Sequence, residues 1–181
     1  MDEPITTGRY RPRNFGGKYN GEITLFEALT WSINTVSVNL AKEVGIDEVI
    51  STARLMGIKS ELEPDLSLSL GSSGIPMLEM VGAYATIATN GLSVEPYGIK
   101  RIKDTEGNIL YEHSNKGRYT QVLPGFTISA LQEMMNSVVI NGTGQGANPG
   151  FFAAGKTGTS QDYRDAWFTG FTNQYIASVW Y

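Results

Sequence analysis

Lys156-Thr157-Gly158-Thr159 packs the most chemistry into the fewest residues of this chain. Side chains alternate along a strand, so Thr157 and Thr159 would share one face and Lys156 and Gly158 the other. Two hydroxyls at that spacing can grip one carboxylate. Gly158 lets a second backbone come close, and an exposed edge here could take an extended peptide as an added strand. The plainer reading of the four residues alone is a strand with a surface lysine and β-favouring threonines. Ser32-Ile33-Asn34 offers a hydroxyl and an amide two residues apart, able to point into one cleft. Helix capping explains the same two residue types, and Ser37-Val38-Asn39 repeats the pattern further along.

Other chemistries are closed off. The chain has no cysteine and a single histidine, His113, so thiolate and multi-histidine metal sites are excluded. His113 follows a strand-like stretch and reads as a surface residue. Gly142-Thr143-Gly144-Gln145-Gly146 lacks the Lys-Ser/Thr of a phosphate loop. Arg9-Tyr10-Arg11-Pro12-Arg13 reads as a solvated basic loop, with contact to a phosphate or an acidic surface as the sharper idea. Asp165-Ala166-Trp167-Phe168 puts large aromatics on a strand, where core packing is the default. The net charge of −4 and pI near 5.0 argue against a nucleic-acid binder. Neither a metal nor an organic cofactor is expected.

The elements that must position these residues follow from capping and periodicity. With 181 residues, 41% hydrophobic and 18% charged, the chain fits one folded domain. Residues 1–22 read as a polar loop. Thr24-Leu25-Phe26-Glu27 has the form of a capping box and predicts a helix to about Trp31. Asn34 is placed to cap a second helix carrying Val36, Leu40 and Val44 on one face, stopped by Gly45. Asp47 would cap a third, ended by Gly57. Residues 59–74 look irregular. Pro76 suits the first turn of a long helix through Thr89, with Met77, Val81, Tyr84 and Ala88 on one face. Ile99–Lys103 and Ile109–Glu112 predict a hairpin around Gly107-Asn108. Residues 127–140 predict another helix, with Ile128, Leu131, Met135 and Val138 inward.

Three strand-like runs end the chain: Ala153–Ser160, Ala166–Phe171 and Tyr175–Tyr181. Short gaps favour antiparallel pairing. Helices first and a small antiparallel sheet last make an α+β layout. One helical layer is available to the sheet, and little remains to cover its other face. No run approaches the roughly 18 apolar residues of a membrane span. Met1-Asp2-Glu3-Pro4 lacks the basic and apolar regions of a signal peptide.

Together the motifs resemble the transpeptidase domain of penicillin-binding proteins, most closely the bifunctional class A enzymes. One stretch of resemblance runs from Tyr10-Arg11-Pro12-Arg13-Asn14 and Gly17-Lys18-Tyr19 through Thr24-Leu25 and Glu27-Ala28-Leu29 into Ser32-Ile33-Asn34. A second is Leu68–Gly71 with Glu79-Met80 and Ala83-Tyr84-Ala85. A third joins Gly142-Thr143-Gly144 to Gly155-Lys156-Thr157-Gly158-Thr159 and Asp165-Ala166-Trp167-Phe168-Thr169-Gly170-Phe171. The resemblance implies a helical subdomain plus small sheet, part of a β-lactamase/transpeptidase-like fold. It implies a serine D,D-transpeptidase, which acylates itself with D-alanyl-D-alanine stem peptides of peptidoglycan, passes the acyl group to an amine, and is trapped by β-lactams. On that footing Ser32 would relay protons, Asn34 would bind the substrate amide, and Lys156 would supply charge and orient Ser32. Thr157 and Thr159 would hold the terminal carboxylate, beside Gly158, with the Thr159 N–H in the oxyanion hole. The implied parent carries a glycosyltransferase domain and a membrane anchor before this region, and works on the extracytoplasmic face of the bacterial cytoplasmic membrane.

One family motif is missing. The residues three before the lysines are Phe15, Asn39, Met56, Tyr97, Lys100, His113 and Ala153, so the Ser-x-x-Lys nucleophile is absent from these residues. The resemblance places that motif ahead of a region like Asp2-Glu3-Pro4-Ile5. Residues 1–181 would then be a partial domain, beginning after the nucleophile helix and ending in the last sheet strands, without the C-terminal helix. Such a chain is expected to be marginally stable and to form no acyl-enzyme alone. A D,D-carboxypeptidase or β-lactamase-like hydrolase, and a penicillin-binding-like scaffold without a nucleophile, are the competing readings.

Overall fold

A computed structural model describes residues 1–114, 119–160 and 164–181. Lys116, one of the lysines checked for Ser-x-x-Lys, lies outside these.

The capping box forms as expected. Thr24 Oγ1 accepts from the Glu27 N–H, Glu27 accepts from the Thr24 N–H, and α1 runs Leu25–Thr30. Helix α2 spans Asn34–Val44 and α3 Ile46–Leu55. Two expected caps are not used. Ile33 is the cap residue of α2, because the Asn34 side chain turns away to the Arg13 carbonyl. Gly45 precedes α3, which leaves Asp47 inside the first turn, where its charge still complements the helix dipole. The stretch 59–74, expected to be irregular, contains a 3-10 turn at Leu66–Leu70.

Helix α4 spans Met77–Ala88 with Pro76 before it. Its burial differs from the one-sided stripe expected. Met77, Val81, Tyr84 and Ala88 are half-buried, and Gly82, Ala83, Ala85, Thr86 and Ile87 are the buried set. The helix is apolar nearly all round, and such a helix is covered on more than one side. Ala83 packs with Ile58 and Leu62 of the preceding loop, whereas Ile87 faces the sheet. The hairpin β1 (Arg101–Lys103) and β2 (Ile109–Glu112) forms and is exposed throughout.

Helix α5 (Gly125–Ile140) starts two residues before the predicted position, behind Pro124. It packs along β3 (Ala154–Thr159), which pairs antiparallel with β4 (Ala166–Phe171), which pairs with β5 (Ile176–Trp180). The main core lies between these layers: Ile87, Ile128, Met135, Ala154 and Phe171. Burying each large aliphatic or aromatic member contributes about 1.5–3 kcal/mol. On the other face of the sheet Val179 is 61% exposed. The chain is therefore α+β, with a three-stranded sheet in the order β3-β4-β5. That order leaves β3, the strand of Lys156, at an edge.

Candidate active site

Ser32 sits between α1 and α2. Its N–H donates to the Leu29 carbonyl at 3.2 Å and the Ile33 N–H donates to Ala28 at 2.8 Å. These two bonds make a Schellman closure, whose pivot residue adopts left-handed backbone and is usually glycine. Here the pivot is Ser32, with φ 55°. A side chain in that conformation costs about 1–2 kcal/mol. The pattern of Ser and Asn at a junction suggested a cap; the left-handed turn left no signal, because serine occupies the glycine position.

Opposite this turn, Lys156 reaches out of β3. Its Nζ donates to Ser32 Oγ at 2.7 Å and to the Thr157 carbonyl oxygen at 3.0 Å. Burial lowers the Lys156 amine from its ordinary value to about 8. Ser37-Val38-Asn39, the second copy of the Ser-x-Asn pattern, behaves differently. Ser37 bonds back to the Ile33 carbonyl within its own helix and Asn39 donates to Met1, so neither meets Lys156.

Asn34 is the first residue of α2, and its Nδ2 donates to the Arg13 carbonyl at 2.9 Å. The Arg13 segment is pinned by a buried polar hub that sequence reading missed. Asp2 is 1% exposed, Asn14 6% and Thr35 0%. Asp2 Oδ1 accepts from Thr35 Oγ1 at 2.5 Å and from Asn14 Nδ2 at 2.6 Å, and Oδ2 accepts from the Asn20 backbone and side chain. Asn14 Oδ1 accepts from the Thr35 N–H at 3.1 Å, in the first turn of α2. Burial pushes the Asp2 carboxyl up, but the bonds from Thr35, Asn14 and Asn20 together hold it below the usual carboxylate range. These partners lie 12 to 33 residues apart, beyond any local spacing rule.

Thr157 Oγ1 lies 2.7 Å from Thr143 Oγ1. Thr143 belongs to the Gly142-Thr143-Gly144 loop, a stretch that carries the family resemblance but whose contact with Thr157 no local spacing announces. Gly142 is required there, since a Cβ would meet the Thr30 carbonyl oxygen at 2.1 Å. The loop thus joins the end of α1, just before Ser32, to the face of β3. Gly158 is exposed, and a Cβ on it would sit 3.4 Å from Trp167 Cβ, so packing alone does not demand glycine. Thr159 is exposed at the end of β3.

The Ser160 N–H donates to the Asp165 carbonyl. Antiparallel parity then turns residues 154, 156 and 158 toward β4, and turns the N–H and C=O of Thr157 and Thr159 to the open edge. A sheet edge beside a lysine, a serine and two threonine hydroxyls can add a peptide strand and hold its carboxylate, although the Thr157 carbonyl there already accepts from Lys156 Nζ. His113 lies elsewhere, stacked on Tyr97 with ring centroids 3.7 Å apart.

Residues 2–180 match the family described as penicillin binding protein transpeptidase domain. The chain belongs to that family. It is 37% identical over 170 residues to penicillin-binding protein 1A of Aquifex aeolicus, covering 93% of this chain and 23% of that protein. The solved structure of penicillin-binding protein PonA1 from Mycobacterium tuberculosis superposes with a TM-score of 0.89 at 26% identity, over 98% of this chain and 52% of that one. The PonA1 protein in complex with penicillin V gives 0.85 at 25% identity, over the same shares. The chain thus spans about a quarter of the first of these relatives and half of the solved PonA1 chain. Among the described residues, no helix is long and apolar enough to cross a membrane.

Proposed function

We propose that this chain is the substrate-holding part of a serine D,D-transpeptidase that cross-links peptidoglycan stem peptides and is acylated by β-lactams. The observation that carries this reading is the Lys156 Nζ–Ser32 Oγ bond of 2.7 Å at the open edge of β3. Membership of the penicillin-binding transpeptidase family and the penicillin V complex of the PonA1 protein support it.

Each residue then has a chemical task. Lys156, with its amine near 8, is mostly protonated at neutral pH and keeps a usable neutral fraction. Because Nζ donates to Ser32 Oγ, the Ser32 hydroxyl is left to direct its own proton at a third group. That group is the nucleophilic oxygen in one direction and the leaving amine in the other. Asn34, its nitrogen held by Arg13, offers Oδ1 to a substrate amide N–H. Thr157 and Thr159 take the substrate carboxylate, and Gly158 leaves room for its backbone. The Thr159 N–H, turned to the edge, is aimed at the developing oxyanion.

The nucleophile is proposed to be the serine of a Ser-x-x-Lys motif outside these residues, since no lysine here has serine three before it. The parent protein is proposed to be of class A type, with a glycosyltransferase domain and an anchor that places this domain on the extracytoplasmic face of the membrane. The test is the rate of acylation of that longer protein by a fluorescent penicillin. Ser32→Ala and Lys156→Ala are expected to slow it by about 100-fold or more, in line with loss of a general acid–base group. Undiminished rates in both variants would remove the proposed roles.

A further inference from the structure

Thr143 meets β3 from a different part of the chain. Its hydroxyl lies 2.7 Å from that of Thr157, 14 residues away in sequence. The helical threonines show the ordinary fate of such a hydroxyl. Thr30 and Thr89 each donate to the carbonyl four residues earlier, at 2.8 Å. Among the described residues, the hydroxyls of Thr143 and Thr157 bond only to one another. The sheet holds another hydroxyl pair at 2.7 Å, Thr169 and Ser178. There Thr169 is 3% exposed, and the contact is packing between β4 and β5. Thr143 is exposed and Thr157 half-buried, so their pair stands open to a ligand.

The loop that carries Thr143 is fixed by backbone bonds on both sides. The Gly142 N–H donates to the Ser137 carbonyl at 3.0 Å, and the Gly144 N–H donates to Val138, a fully buried residue of α5, at 2.9 Å. The Thr143 N–H donates to the Thr30 carbonyl at 3.3 Å, two residues before Ser32. Threonine is also stiff about its first side-chain torsion. Its hydroxyl is therefore presented to Thr157 by a rigid support.

Counting protons gives the pair a direction. Each hydroxyl has one proton to donate, and the bond between them uses one of the two. A carboxylate only accepts, so it binds at the hydroxyl whose proton is still free. With Thr143 as donor, the Thr157 proton is free, and the bond that Thr157 accepts polarises its O–H.

We infer that Thr143 is a positioning residue for the substrate carboxylate: it donates to Thr157 and so turns the Thr157 proton toward that carboxylate. The inference rests on the proposed function, in which Thr157 takes the carboxylate. Thr143 acts through Thr157 and does not itself touch the substrate.

The test compares benzylpenicillin with its methyl ester on the longer protein, with acylation followed by intact mass over time. The ester keeps the reacting ring and loses the anionic acceptor. Thr143→Val keeps the branched shape and removes the proton. It is expected to slow acylation by the acid about tenfold or more, the scale of one hydrogen bond to a charged group, and to change the ester rate about twofold at most. Thr143→Ser restores the hydroxyl and should return the acid rate to within about threefold of the parent. In a Thr157→Val background, Thr143→Val should add no further loss, because the two residues form one path. Should circular dichroism show Thr143→Val unfolded, Thr143→Ala takes its place in every arm. An unchanged acid rate would overturn the inference. An equal loss with acid and ester would also do so, leaving Thr143 a support of the fold. Losses that multiply in the double variant would instead make Thr143 a direct contact and contradict the relay. The proposed function fails separately, if neither compound acylates the unsubstituted longer protein.

Discussion

Lys156 Nζ donates to Ser32 Oγ at 2.7 Å across 124 residues of sequence, and Ser32 holds left-handed backbone at φ 55° to meet it. Glycine would form the same turn without strain but could not accept the bond. The turn therefore gives up stability to place a hydroxyl, a trade common where chemistry is done.

That trade can be measured by two substitutions that both remove the hydroxyl. Ser32→Gly is expected to be more stable than Ser32→Ala by about 1 kcal/mol, because only alanine keeps the left-handed strain. Urea unfolding of the two variants reads the difference. A glycine variant no more stable than the alanine one would mean that the turn is unstrained.

Lys156 sets a pH dependence of definite sign. Its folded value, about 8, lies below its ordinary 10.5, so between these pH values the unfolded chain binds more protons and stability rises with pH. The contribution is fully present above 10.5 and is lost as the pH falls to about 8. Lys156→Met removes that rise and the cost of the buried cation. It is expected to be more stable at neutral pH by about 1 kcal/mol, a shift of roughly 2–4 °C in Tm. Melting curves at pH 7 and near pH 10 check both parts, and a less stable Met variant at pH 7 would contradict the assigned cost.

Asp2 is expected to hold the opening segment and, through it, Asn34. Asp2→Ala leaves the Asn14 amide and Thr35 hydroxyl without their buried acceptor and should cost about 2–4 kcal/mol. The folded Asp2 carboxyl lies below its ordinary 3.8, so its stabilisation is full above that value and is lost as the pH falls through the lower one. Denaturant titrations on the acid side should therefore show a smaller pH effect in Asp2→Ala than in the parent chain.

Two glycines separate packing from ligand space. Gly142→Ala drives a Cβ to 2.1 Å from the Thr30 carbonyl oxygen and should cost about 2–4 kcal/mol. Gly158→Ala meets only Trp167 Cβ at 3.4 Å and should change stability by about 0.5 kcal/mol or less. It should nevertheless lower acylation of the longer protein, since the methyl group would stand on the Lys156 face of β3, where the proposed substrate comes close. A stable Gly158→Ala protein acylated at the normal rate would argue against that close approach.

The contrast also shows what a sequence can disclose. Capping, periodicity and short strand gaps announced α1, the helix ends at Gly45 and Gly57, and the antiparallel order of β3, β4 and β5, because each rests on neighbours a few residues apart. Asn34 misled as a cap because its partner, the Arg13 carbonyl, lies 21 residues away. The Asp2–Asn14–Thr35 hub and the Thr143–Thr157 contact were invisible for the same reason. Motif order put Lys156, Ser32, Thr157 and Thr159 in one expected set, of which the structure brings Lys156 and Ser32 into contact, while the left-handed turn beneath Ser32 needed coordinates.

The central claim is that this chain carries the Ser32–Lys156 half of a penicillin-reactive site whose nucleophile lies elsewhere. Intact mass after incubation with a penicillin tests it most directly, on the 181-residue chain and on the longer protein side by side. The account predicts an unmodified mass of 19.7 kDa for the chain and one adduct on the longer protein. One penicillin bound covalently to the 181-residue chain would place the nucleophile among these residues and contradict the account.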